Sequence, residues 1–565
     1  MNFHLSLYRS FNSSNPLESL ITHSMAENRN TKLTERLTVA SASLALATIV
    51  LGASLSATAF AATKDHVLVI DEGVDLVHFE LKNRAHINSK EFNGRANTDD
   101  DRNGFVDDVS GWNLISNDSA YFPLHVREVF VKNDATVEKL LGLYNRIEEG
   151  DREAIEYVYG NPDIASAMSY VLSKSHGTHV AGIIVKYGNQ NAIISSANVF
   201  TPSSAEASTP SEDPSAALAM TRTMMKSSGA EIYVEGLETL LASQPLRASE
   251  IIANEGASTA ATSVFDDTDG IRAYVNDSAQ KDRAEKQLMS RYLKTTGARV
   301  VNLSLGFAKV TWKMRLDAIW DEYLEKNNLP ESTPMTATQR ANYNKLLSIY
   351  SNSEANWNSF FSNNPQTLFV VAAGNDGDMQ VPNAGNNAIN EVAPANCAGS
   401  NSNVITVAAT TPEGVIADFS NYNSRLVNIG AWGVAVPSTA PNHHHVKMSG
   451  TSMASPYVAG VASAMFSANS RLTASQAKSI LINTASPKAS LQGKVSSNGM
   501  VNPAAAVSAA RGLGNGLALA DIASPSADSR ILPGFALLPE FTRTLDTTLR
   551  GEIHATSELV KSFLR

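Results

Sequence analysis

At 565 residues and a formal net charge of -10, the chain can form one large domain with insertions or two to four average domains, and its acidity argues against a mainly phosphate-driven nucleic-acid binder. Apolar residues make up 43% and charged residues 18%, the balance of a soluble globular protein. The single cysteine, Cys397, excludes an intramolecular disulfide and any zinc site built on paired cysteines, and is expected as a small buried residue.

No charge falls between Arg36 and Lys64, and the run LTVASASLALATIVLGASLSATAFAA fills the gap. Lys32 and Arg36 supply a positive flank, and Ala59-Phe60-Ala61 places small residues where a signal peptidase needs them, so residues 1–61 are predicted to be a leader and signal peptide cleaved after Ala61. The rival reading is an uncleaved membrane anchor, since the run is long enough to span a bilayer. The polar residues before Met25 are long for a signal leader, which makes Met25 an alternative start.

Val67-Leu68-Val69-Ile70 is a short β-branched run that reads as a buried strand delivering Asp71 to its C-terminal edge. Open α/β sheets collect functional groups at that edge. Next, NTDDDRNGFVDDVSGWN (97–113) alternates Asp99, Asp101 and Asn103 before Gly104, with Asp107 following. Oxygen ligands around a glycine turn suit a hard cation, yet the twelfth position counted from Asp99 is Ser110 instead of the bidentate Glu of an EF-hand. A calcium site and a solvated acidic turn both stay open.

Residues 121–170 carry two helical patterns, around Val137 to Tyr144 and Ala154 to Tyr159, and lead into SHGTHVAG (175–182). Histidines at i and i+3 invite a zinc reading, but no Glu flanks the first and no third ligand is evident. His176 is therefore read as a general base opening a close-packed helix, with His179 a packing residue. Residues 201–268 form a Ser/Ala/Thr-rich excursion with a helical stretch near 215–226. A helix over Lys281–Thr295 then feeds a strand ending in Leu303, Ser304 and Gly306, one helix-to-strand step of a parallel sheet.

A helical insertion spans about 311–363, and Leu368 to Ala373 forms another buried strand, ending in Gly374-Asn375-Asp376-Gly377. Val404–Ala409 and Val434–Val436 supply further strands, while His443-His444-His445 reads as a solvated loop. In MSGTSMASPYVAGVA (448–462) a glycine turn precedes Ser452 at the start of an apolar helical run, a pattern that fits an exposed nucleophile or a plain N-capping serine. Amphipathic helices follow at Ser475–Asn483 and around Asn502–Ala506. Compact structure is predicted over 62–511, with 512–565 an extension of unknown role.

Asp71, His176 and Ser452 together are the parts of a nucleophilic triad, since a serine hydroxyl needs a neutral imidazole to accept its proton and the imidazole a carboxylate to fix its tautomer. Asn375 adds a side-chain amide suited to an oxyanion. DEGVD (71–75), HGTHVAG (176–182) and GTSMASP (450–456), in that order, resemble the signature blocks of the subtilisin-like serine peptidases. VVNLSLG (300–306) and VVAAGNDG (370–377) resemble the same family's substrate-binding strand and oxyanion segment.

The resemblance implies a three-layer α/β/α fold with a mostly parallel central sheet, enlarged by helical insertions. It also implies an exported serine endopeptidase acting on polypeptides through an acyl-enzyme. Asp71 would orient, His176 act as base, Ser452 attack and Asn375 stabilise the oxyanion. Leu303, Ser304 and Gly306 would line one wall of the cleft, with Ala373 and Gly374 opposite.

No cofactor is expected for the chemistry beyond a structural calcium on the acidic loop, no membrane partner after signal cleavage, and a monomer. The sequence departs from the family at Tyr457 and Trp432, and Ala62 to His66 leaves no room for the usual folding-assistant segment. Two rival readings are a catalytically silent peptide-binding module and a His-dependent metallohydrolase.

Overall fold

Strand β1 (His66–Asp71) is buried along its whole length, and its alternating side chains serve two different cores. Val67 and Val69 point into one apolar cluster, Leu68 and Ile70 into the other. A strand buried on both faces must be covered by helices on both faces, which is why the run is continuously apolar. The computed structural model describes residues 66–200, 263–377, 379 and 383–515. The signal and anchor readings, the helical stretch near 215–226 and the extension after residue 515 lie outside them.

After β1 come β2 (Gly111–Asn113), β3 (Ile193–Asn198), β4 (Val300–Leu303), β5 (Phe307–Ala308), β6 (Leu368–Ala372) and β7 (Val392–Ala393). The later strands are β8 (Val404–Thr410), β9 (Ile429–Trp432), β10 (Val436–Ala440), β11 (His444–Met448), β12 (Ser486–Pro487) and β13 (Gly499–Met500). Nine of them form one sheet in the order β12-β13-β9-β8-β6-β4-β1-β3-β2. Every neighbouring pair in it is parallel except β12 with β13. Two antiparallel pairs, β10 with β11 and β5 with β7, stand apart from it.

The longer helices are α1 (Leu124–Lys132), α2 (Asp134–Glu148), α3 (Arg152–Tyr159), α4 (Pro162–Ile183), α5 (Thr268–Thr296) and α6 (Lys309–Lys326). They continue with α7 (Ala337–Leu347), α8 (Ile349–Ser362), α9 (Thr451–Ala468), α10 (Ala474–Asn483) and α11 (Pro503–Gly514). Val171 and Val180 of α4, and Val458 and Val461 of α9, join the cluster that holds Val67. Tyr292 of α5 and Trp357 and Phe361 of α8 join the one that holds Leu68. The result is the expected three-layer α/β/α arrangement, in which each fully buried Val, Leu or Ile contributes about 1.5–3 kcal/mol. The 121–170 insertion packs into the molecule: Phe130, Val137, Leu141, Ile155 and Val158 lie in the same core as β1.

Several local expectations are corrected. His176 does not open a helix but sits late in α4, which starts at Pro162 because Ala167, Met168 and Val171 give its first half a buried face of its own. α5 begins at Thr268, capped by Asp267, well before Lys281. Its early residues are mostly polar, and only Ile271 and Val275 anchor them, in a satellite cluster with Leu316, Tyr343 and Leu346. The His443–His445 stretch is not a loop, since His444 opens β11. The strand expected over Val434–Val436 starts only at Val436, because Ala435 takes the left-handed conformation with φ 48°.

Candidate active site

Asp71 ends β1 at the carboxyl edge of the sheet and is fully buried. Its Oδ1 accepts from Glu72 N at 2.8 Å and from His176 Nδ1 at 2.7 Å. The contact depends on Gly177: a Cβ there would lie 2.2 Å from Gly73 O and 3.2 Å from Asp71 Cβ, so any larger residue would hold α4 off the strand end. One turn-length of α4 is then locked in place by polar ties. Thr178 Oγ1 accepts from Asp75 N at 2.9 Å, Thr439 Oγ1 donates to Thr178 O at 2.7 Å, and Ser438 Oγ donates to His179 O at 2.8 Å.

With Nδ1 donating to Asp71, the His176 ring presents Nε2 as an acceptor, and a quarter of the side chain is exposed. Burial alone would pull its pKa down, but the charge and hydrogen bond of Asp71, with the charge of Glu72, outweigh this and hold it above the ordinary imidazole value. His179 behaves differently. It is fully buried, its Nε2 donates to Val446 O at 3.0 Å, and burial pushes its pKa down to about 3. That ring is committed to packing the β10–β11 pair.

Ser452 is the second residue of α9, whose N-cap is Gly450 and carries no side-chain cap. Ser452 is therefore not the capping serine. Its Oγ donates to Ser304 O at 3.2 Å and is not hydrogen bonded to His176. Ser304 lies at the end of β4 and is tied to the same helix: its Oγ donates to Ser452 O at 2.8 Å, accepts from Asn302 Nδ2 at 2.9 Å and shares a hydrogen bond with Ser455 Oγ at 2.9 Å.

Asn375 follows β6 and is exposed. Its Oδ1 accepts from both Thr451 N and Thr451 Oγ1 at 2.9 Å, which fixes the orientation of the amide. A Cβ on Gly450 would sit 3.6 Å from its Nδ2. Gly374 has φ 110°, and a Cβ there would lie 2.5 Å from Asn421 Nδ2. Asn421 clamps the loop from behind, accepting from Asp376 N at 2.8 Å and donating to Asp376 Oδ2 at 2.9 Å.

Of the predicted cleft residues, the Leu303, Ser304 and Ala373 side chains are buried, while Gly374 is half-buried and Gly306 exposed. Leu305, half-buried, and Gly306 belong to no strand.

In the acidic loop, carboxylate oxygens of Glu91, Asp99 and Asp101 lie within 4.8 Å of one another. Asp107 is not one of that group, while Asn103 borders it, its N donating to Asp99 Oδ1 at 3.0 Å and Asp101 Oδ1 at 3.1 Å. Asn103 Nδ2 donates to Asp101 Oδ2 at 3.2 Å and to Asp108 Oδ2 at 3.1 Å, and Asp107 Oδ2 accepts from Asn97 N at 2.7 Å. Glu91 went unseen in the sequence because it comes from the separate short helix Ser89–Asn93. Thr451 and Asn421 were missed for a related reason, since Thr451 holds Asn375 and Asn421 holds Asp376 from distant segments.

The subtilase family (peptidase S8) model matches residues 64–514. The cell wall-associated protease of Bacillus subtilis (strain 168) is 38% identical over 118 residues, 21% of this chain and 12% of that protein. The extracellular protease of Xanthomonas campestris pv. campestris is 39% identical over 155 residues, 26% of this chain and 24% of that protein. These matches thus span less than a quarter of the relatives' own length. A solved cold-adapted subtilisin-like serine proteinase aligns at 18% identity with a TM-score of 0.34, covering 77% of this chain and 86% of that one. With the family model running from before β1 to the end of α11, the chain belongs to the subtilase family.

Proposed function

We propose that the protein is an exported serine endopeptidase that cleaves polypeptides through Asp71, His176 and Ser452. The observation that carries this reading is the 2.7 Å bond from His176 Nδ1 to Asp71 Oδ1, because it leaves Nε2 as the proton acceptor on the exposed side of the ring. Ser452 leaves its weak 3.2 Å bond to Ser304 O, passes its proton to Nε2, and its Oγ bonds to the substrate carbonyl carbon. The carbonyl oxygen takes the negative charge beside Asn375 Nδ2, whose orientation Thr451 fixes. Collapse breaks the C–N bond as His176 returns the proton to the leaving amine, and water then hydrolyses the acyl-enzyme by the reverse sequence. No cofactor enters these steps.

The backbone at Leu305 and Gly306, which belongs to no strand, is suited to pair with an extended peptide. Export is supported by the uncharged run before Lys64 and by relatives named as extracellular or cell wall-associated proteases. No helix among the described residues is long and apolar enough to cross a membrane. The acidic loop fits a calcium ion, since Glu91, Asp99 and Asp101 offer hard oxygen donors from two segments that a cation would hold together.

A fluorophosphonate probe tests the proposal. Folded protein should be labelled at Ser452, and Ser452→Ala should remove the label. Folded wild type that stays unlabelled would overturn it in favour of a silent peptide-binding module.

A further inference from the structure

Helix α2, part of the 121–170 insertion, lies along β11, the strand that runs directly into the Ser449-Gly450-Thr451-Ser452 turn. At its start, Asp134 Oδ1 accepts from His444 Nε2 at 2.8 Å. Near its end, Asn145 Oδ1 accepts from Lys447 N at 2.7 Å, and Lys447 Nζ pairs with Glu149. The last residue of α2, Glu148, reaches the turn itself. Its Oε2 accepts from Ser449 Oγ at 2.5 Å and its Oε1 from Tyr144 OH at 2.7 Å. Ser449 Oγ also accepts from Ala435 N at 2.8 Å, so one hydroxyl orientation satisfies both neighbours.

We infer that Glu148 is a positioning residue for Ser452, holding the turn through Ser449 so that the nucleophile keeps one direction. This rests on the peptidase reading above. Docking of α2 does not need Glu148, because Val137, Leu140, Leu141 and Ile147 already bury its apolar face. A carboxylate placed half-buried between two hydroxyls is instead what a rigid anchor requires, since bonds to an ionised acceptor are short and strong. Glu148 thus links a segment outside the five signature blocks to the reacting residue.

The test uses Glu148→Ala, Glu148→Gln, Ser449→Ala and the double alanine variant in the full chain. Turnover of a chromogenic peptide, amide hydrogen exchange and melting temperature are measured for each. Glu148→Ala and Ser449→Ala should each lower kcat about tenfold with KM nearly unchanged, and speed exchange at Gly450 to Met453 by a similar factor, the scale of one lost charge-assisted bond. The double variant should be no worse than the weaker single one, and Glu148→Gln should recover only part of the loss, because its Oε1 still accepts from Ser449 but without the charge. Unchanged exchange, faster exchange with unchanged kcat, or additive losses would each overturn the inference. A wild type without turnover or probe labelling would instead remove the peptidase reading, while the exchange measurement would still decide whether Glu148 holds the turn.

Discussion

His176 Nδ1 donates to Asp71 Oδ1 across 2.7 Å, joining the end of β1 to the later half of α4. Because the carboxylate fixes which ring nitrogen carries the proton, the three proposed catalytic residues should act as one unit. Ser452→Ala and His176→Ala should each lower kcat by on the order of 10⁶, and together by little more. Asp71→Asn should cost about 10⁴ by imposing the wrong tautomer. Steady-state kinetics on a peptide substrate check this, and multiplying losses would contradict a triad.

The raised pKa of His176 sets the pH dependence. Catalysis needs the neutral ring, so kcat/KM should rise with pH through a value above the ordinary 6.5, and Asp71→Asn should move that limb to lower pH because burial then prevails. The same shift stabilises the fold in the opposite range: its contribution is complete below the unfolded pKa and is lost as pH rises through the folded one. Buried His78, pushed down to about 4, and His179, pushed down to about 3, act the other way. Their contribution is present above 6.5 and is lost as pH falls toward 4 and 3. Urea unfolding measured from pH 7 to 3 should show that replacing His78 by Gln removes part of the acid-linked loss of stability, so that the difference between wild type and variant changes as pH falls toward 4.

Asn375→Ala should lower kcat by about 10² to 10³ with KM little changed, since the amide acts on charge that develops only in the transition state. Thr451→Val, which removes one of the two bonds holding Asn375 Oδ1, should cost a smaller factor, about tenfold. Single-turnover acylation rates would show the ordering, and a Thr451→Val loss as large as that of Asn375→Ala would argue against orientation as the role of Thr451.

Gly177→Ala probes the packing that makes the site possible. With the new Cβ 2.2 Å from a backbone carbonyl, α4 has to move away from β1, at a cost of about 1–3 kcal/mol. Melting temperature and kcat should fall together, and the pH limb of His176 should shift down as the Asp71 bond lengthens.

For the acidic loop, adding calcium should raise the melting temperature, and both Asp101→Ala and Glu91→Gln should cancel the gain. An unchanged melting curve in wild type would leave the loop as a solvated turn.

The sequence by itself carried the residue types and the sheet. β1, β4, β6 and β8 are short runs rich in Val, Ile, Leu, Phe and Ala and buried along their length, and such runs are legible because burial is written into composition. Asp71, His176, Asn375 and Ser452 were legible because each sits in a short block whose spacing suits one chemistry. Tertiary structure alone decided what those residues touch. Pro162 to Met168 extends α4 far upstream of His176 because its buried face forms only against the core, a contact no local pattern announces. Thr451 fixes Asn375 and Glu148 reaches Ser449, each across a long stretch of chain, because a hydrogen bond depends on distance in space and leaves no periodicity in sequence.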